Sequence, residues 1–239
     1  MNKAYSLALS NLLLLITFSA SGQDKFEISA NIGLTSDYKY YGSSFSNEEW
    51  AVSGGIDVAH KSGFYLGSWA STIDFNSNAT DPAEIELHFY TGYANKLVSG
   101  LTYDFGVRRY GYPDQNEDAT VDEYDYYEFQ AKFGYDFDNY LEPALNIGIA
   151  VSPDYFGNGG ISVYSNLNLK ISLPAKFSGL LSYGYLDVDD INLAYSHYSI
   201  GISKEFAGIN FDFLWTDAES ECGGKDICQG FVFNITKVF

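Results

Sequence analysis

From Phe26 to Phe239 the chain repeats one pattern: stretches of about 9–11 residues in which apolar and polar side chains alternate, each ended by turn residues. Alternation puts every second side chain on one face of an extended strand, so each strand meets an apolar environment on one side and a polar one on the other. The last stretch shows it best. Phe231, Phe233, Ile235 and Phe239 share one face, interrupted only by Lys237, and Asn234 and Thr236 lie on the other with Val232 and Val238. A free terminus usually frays, so a hydrophobic strand ending on an aromatic residue fits the closing strand of a membrane barrel better than the last strand of a soluble sandwich.

The N-terminus agrees with export. Residues 1–22 read as a secretory signal peptide: Lys3 supplies the positive start, Leu7 to Phe18 is mostly apolar, and Ala20, Ser21 and Gly22 form a small-x-small cleavage site. That apolar run falls short of the roughly 20 residues a spanning helix needs. No long apolar segment follows it, so any crossing of a membrane falls to strands, and residues 23–239 are expected to form one barrel.

Counting the alternating runs gives about twelve strands, an even number as in single-chain bacterial barrels. The first is expected to run from Phe26 as far as Tyr40, with Tyr38 and Tyr40 at its outer end. The connections sort themselves. Those after odd runs are long and acidic, including Glu48, Glu49, Asp74, Asp114, Glu117, Asp118, Asp189, Asp190, Asp217 and Glu221; those after even runs are short. A soluble sandwich has no reason for this sorting, whereas an outer-membrane barrel has long outer loops and short periplasmic turns. Tyr38, Tyr40, Trp50, Tyr127 and Trp215 near the outer ends, and Phe26, Phe64, Tyr93, Tyr135, Phe177, Phe206 and Phe239 near the inner ends, are expected to form two aromatic girdles. The fold class is therefore all-β, a transmembrane antiparallel up-and-down barrel. The formal charge of −18 excludes nucleic acid as a partner.

Candidate functional residues come from the polar faces. Glu27, Asp37, Lys39, Asp57, Glu84, Glu86, His88, Asp104, Arg108, Glu128, Lys132, Lys170 and Asp212 are expected to face the lumen. There they either bias the passage of solutes or pair with one another and fill a narrow barrel. Cys222 and Cys228 bracket five residues of the last long loop and, in an exported chain, are expected to form a disulfide. His88 among Glu84, Glu86 and Tyr90 could in principle serve a nucleophile, but no Gly-x-Ser-x-Gly accompanies it, so no catalytic residue is assigned. No cofactor and no metal is expected.

Several stretches resemble a known group. Ala30 to Gly42 (ANIGLTSDYKYYG) resembles the opening signature of the TorF-type porin family, long called conserved hypothetical. Gly54 to Ser71, Glu86 to Tyr93 and Ser152 to Gly157 continue the likeness. The resemblance implies an outer-membrane porin and transfers no catalytic residue. The cysteine loop and the acidic loop Gly111 to Asp122 lie outside the pattern. The expectation is a channel in a Gram-negative outer membrane passing small hydrophilic solutes, cations favoured, with membrane lipids and the barrel-assembly machinery as partners. The alternative is a closed structural or surface-binding barrel.

Overall fold

The alternating runs fold as strands in the computed structural model, which describes residues 25–75, 83–98, 100–113, 124–138, 141–219 and 228–239. In chain order they are β1 (Phe26–Thr35), β2 (Lys39–Tyr40), β3 (Ser43–Ser44), β4 (Ala51–His60), β5 (Phe64–Thr72), β6 (Ile85–Lys96) and β7 (Leu101–Gly111). There follow β8 (Tyr126–Asp136), β9 (Ala144–Ser152), β10 (Ser162–Leu173), β11 (Phe177–Val188), β12 (Leu193–Phe206), β13 (Ile209–Ala218) and β14 (Gly230–Val238). The 12 long strands close into one antiparallel barrel in sequence order, and β2 and β3 form a separate small hairpin. Closure joins β14 to β1: Phe239 N donates to Ala30 O at 2.8 Å and Ala30 N to Phe239 O at 3.2 Å.

The apolar registers all face outward. Ile28 is 62 % exposed, Phe64 63 % and Phe213 48 %, and comparable side chains continue around the wall. A belt of this size has no place in water and needs lipid against it. Short turns cluster at one end of the barrel, the turn end. The tightest is Ala207–Gly208, whose positive φ angles of 52° and 70° suit a two-residue hairpin between twisted strands. Longer connections lie at the other, loop end. Trp50 and Tyr127 are exposed near the loop end and Phe26 and Phe206 at the turn end, as girdles require.

One segment departs from expectation. The first strand stops at Thr35, and residues 36–50 turn back into the barrel. Tyr38 and Tyr40 therefore belong to no outer girdle; Tyr40 is 2 % exposed and both rings pack inside. The physical reason is a tight hairpin at Tyr41 and Gly42, both with positive φ, which reverses the chain after two residues of β2. Period two is the same in a continuing strand and in a short inserted hairpin, so alternation alone does not separate them.

Candidate functional site: the barrel interior

The polar faces converge inside. Strand register sets Ser29, Asp57, Gly67, Tyr90, Arg108 and Glu128 side by side in one row across six neighbouring strands, β1 and β4 to β8. All are buried, with Asp57 2 %, Arg108 4 % and Glu128 4 % exposed. Arg108 lies between the two acids of the row and over the rings of Tyr90 and Tyr110, at 5.1 and 5.8 Å from their centroids. The ring faces at these distances, with an acid on either side in the row, offset part of the cost of removing a guanidinium from water, although its Nε has no hydrogen-bond partner among the described residues. The adjacent row carries rings: Trp69 on His88 at 4.9 Å, His88 on Tyr110 at 4.4 Å, and Tyr110 stacked on Tyr126 at 4.4 Å.

Four inner acids of this wall share one partner type, the tyrosine hydroxyl. Tyr90 donates to Asp57 Oδ1 (2.5 Å), Tyr65 to Asp104 Oδ1 (2.6 Å) and Tyr112 to Glu86 Oε1 (3.1 Å). Tyr110 donates to Glu128 Oε1 (3.2 Å). The inserted hairpin adds three more: Tyr38 donates to Glu86 Oε2 at 2.7 Å, and Tyr41 and Tyr40 donate to Glu128 Oε2 at 2.6 and 3.4 Å. Tyr38, Tyr40 and Tyr41 sit outside the spanning strands. Burial first, and the nearby Glu86 or Glu128 second, raises their phenols well above the ordinary value, so they remain donors. Hydrogen bonds to an ionised acceptor are the stronger kind, which suits carboxylates this far from water.

The sequence-selected residues fall in several places. Glu27 is half-buried on the inner face of β1. Asp37 and Lys39 ride on the hairpin segment and pair with each other at 2.8 Å. Glu86 is fully buried, and His88 Nε2 lies 3.2 Å from its Oε1 at an angle that makes no hydrogen bond. Asp104, Lys132, Lys170 and Asp212 are half-buried on inner registers of β7, β8, β10 and β13. Glu84 stands apart: it precedes β6 by one residue and is solvent-exposed. Arg109, on the opposite face from Arg108, pairs with Asp125 rather than with Glu84 or Glu128. Cys222, the leader 1–22 and residues 114–123 of the acidic loop lie outside the described residues; Cys228 is buried at the loop end. Among the described residues no cluster has the make-up of a metal site.

Sequence reading missed the inner tyrosines as a set. A signal was present: Tyr110 and Tyr126 stand two residues from Arg108 and Glu128, on the same polar registers.

Two features decide what the interior can do. At the loop end, Tyr40, Tyr41, Phe45, Tyr110, Tyr126, Tyr155 and Tyr164 form a buried aromatic cluster, with Leu186 and Val188 fully enclosed beside it. Beside it, between this wall and strands β11 to β14, a cavity of about 250 Å³ remains. It is bordered by Asn31, Trp69, Arg108, Asp212 and Asn234, and by the hairpin residues Asp37 and Lys39. Its lining reaches from Val238, near the turn end, to Thr216 and His197, near the loop end.

An apolar outer belt, a closed ring of antiparallel strands and a polar interior define a porin-type membrane β-barrel. The chain belongs to the Gcw_chp family, described as bacterial protein of unknown function, which matches residues 19–236. That description carries no activity and does not repeat the TorF-type name. No curated protein matches the chain significantly. Among solved structures, the KdgM porin is similar with a TM-score of 0.56 at 8% identity, covering 88% of this chain and 96% of that one. An outer-membrane channel from Pseudomonas putida F1 has a TM-score of 0.51 at 10% identity, covering 94% and 99%. LpxR from Salmonella typhimurium has a TM-score of 0.50 at 10% identity, covering 88% and 99%. Identities this low show a shared fold.

Proposed function

We propose that the protein is a narrow outer-membrane channel for passive diffusion of small hydrophilic solutes, favouring cations, and that it has no enzymatic activity. The observation that carries this is the cavity reaching from Val238 to Thr216 beside the inserted hairpin. A barrel filled for structure alone packs its lumen with side chains throughout, as small eight-stranded barrels do, whereas here the aromatic packing gathers at the loop end and a cavity remains along the lumen. The likeness to TorF-type porins and the shared fold with the KdgM porin point the same way. Membrane lipid would cover the belt, and assembly would follow the outer-membrane route.

Outer-loop acids and Asp212 on the cavity wall support cation preference, since a low-dielectric wall focuses their field. His88 and Arg108 line the same cavity, and the remaining lumen candidates, Glu27, Asp57, Glu86, Asp104, Glu128, Lys132 and Lys170, are proposed as the polar wall behind that path. The Cys222–Cys228 disulfide stays a proposal from compartment and spacing.

A closed barrel is the second reading, favoured by the enclosure of Tyr110, Leu186 and Val188 at the loop end. Recording from purified protein in planar bilayers separates the two. Small, discrete KCl conductance steps are expected, and a silent membrane containing folded protein would establish the closed barrel.

A further inference from the structure

We propose that residues 36–50 are a gate, latched shut by Tyr38 on Glu86 and Tyr41 on Glu128 and able to leave the lumen as a unit. The inference rests on the channel reading above and adds how the passage is regulated.

The hairpin is not woven into the barrel. Strands β2 and β3 pair only with each other, and the 12-strand ring closes without them. Apart from its root, where Ser36 N donates to Phe233 O and the Thr35 hydroxyl to Asp37 O, its backbone meets the wall through Asp74 N to Phe45 O at 2.7 Å. Side chains hold the rest. Beyond the two latch bonds, the Tyr40 and Tyr126 hydroxyls meet at 2.8 Å, Tyr40 donates a longer bond of 3.4 Å to Glu128 Oε2, and Ser43 Oγ meets the Tyr195 hydroxyl at 3.1 Å. Tyr41 also stacks on Tyr164 with ring centroids 3.6 Å apart. Each of these hydrogen bonds can be replaced by water without breaking a strand ladder.

The seated hairpin also carries strain. Tyr41, Asn47 and Glu48 have φ of 47°, 53° and 63°, a region that residues other than glycine occupy reluctantly. Gly42, at φ 88°, comes so close to His197 that a Cβ there would collide with the imidazole. Withdrawn as a unit, the hairpin keeps its own turn, while Gly42 leaves its close approach to His197. Withdrawal would also uncover two carboxylates. Glu86 and Glu128 would lose their hairpin phenols, keep Tyr112 and Tyr110, and turn a freed oxygen to the widened lumen, adding to its attraction for cations.

The test is the double variant Y38F/Y41F, which keeps both rings and removes both latch hydroxyls. Beside it stands a variant in which two glycines replace Lys39 to Ser44, removing the hairpin tip. Folding is checked by heat-modifiable migration, and KCl conductance is recorded in planar bilayers. Both variants are expected to raise mean conductance at least threefold over the parent, the tip replacement more than the double variant. A raised conductance for the tip replacement with an unchanged Y38F/Y41F overturns the latch and leaves the channel intact. A folded tip replacement that passes no current overturns the channel reading itself. If Y38F/Y41F does not fold, the single variants Y38F and Y41F carry the same comparison.

Discussion

Tyr90 reaches over Gly67 to donate its hydroxyl to Asp57 Oδ1 at 2.5 Å, joining β6 to β4 across the strand between them. The bond exists because β5 has no side chain at that point: a Cβ on Gly67 would collide with both Asp57 Oδ1 and the Tyr90 ring. An aromatic ring laid over a strand glycine is a recurrent device for pinning register in barrels. Gly67→Ala should force Tyr90 and Asp57 apart and strand a buried carboxylate. Overpacking of this kind costs about 1–3 kcal/mol. The urea midpoint of the heat-modifiable form in detergent should fall accordingly; a midpoint equal to the parent's would show that the contact gives way freely.

The outer face supplies an independent check of membrane placement. Phe213, in the middle of β13, is 48 % exposed and stacks with Phe231 of β14 at 5.3 Å. Phe213→Arg places a guanidinium against acyl chains and should cost about 2–4 kcal/mol near the bilayer midplane. Folding titrations into lipid vesicles measure it. An unaltered folding free energy would mean that this face does not meet hydrocarbon.

The strand pattern was legible because burial of backbone in a barrel enforces strict alternation, and it placed β4, β5 and β13 to within a few residues. The hairpin was not. Tyr38 and Tyr40 continue the period of Ile28, Ile32 and Leu34, and only Tyr41 and Gly42 hint at reversal. A tyrosine's amphipathic ring also suits a headgroup girdle and a polar lumen equally, so the register of its neighbours must decide. Tyr90 on the polar register of Glu86 and His88 was readable in that way. The pairing of Glu86 with Tyr38 was not, because 48 residues separate them and the contact depends on where the hairpin lands.

Phe239 closes the ring. Its N–H and C=O both bond to Ala30 on β1, and the Lys237 ammonium lies 5.8 Å from its ring. Deleting Phe239 removes both backbone bonds from the turn end of the β14–β1 seam, the seam that ties the chain's first and last strands. The folded, heat-modifiable fraction recovered from outer membranes should drop well below the parent's. Equal recovery would show that the seam forms without its last residue.

Charge placement leads to the selectivity prediction and changes which acid to test. Glu84 and Glu86 both come from the polar register before and in β6, yet one stands in solvent outside the strand and the other is capped by Tyr38 and Tyr112. Neither borders the cavity. Asp37 does, but Lys39 neutralises it at 2.8 Å. Asp212 is the cavity-lining acid on β13, half-buried beside Asn234 of β14. In a KCl gradient at low ionic strength the reversal potential should show preference for potassium, and Asp212→Asn should move it towards zero. The shift should shrink with salt, since the screening length is about 10 Å at 0.1 M and about 3 Å at 1 M. A parent channel that prefers chloride would overturn the electrostatic argument. A potassium preference untouched by Asp212→Asn would place its origin in the acidic outer loops instead.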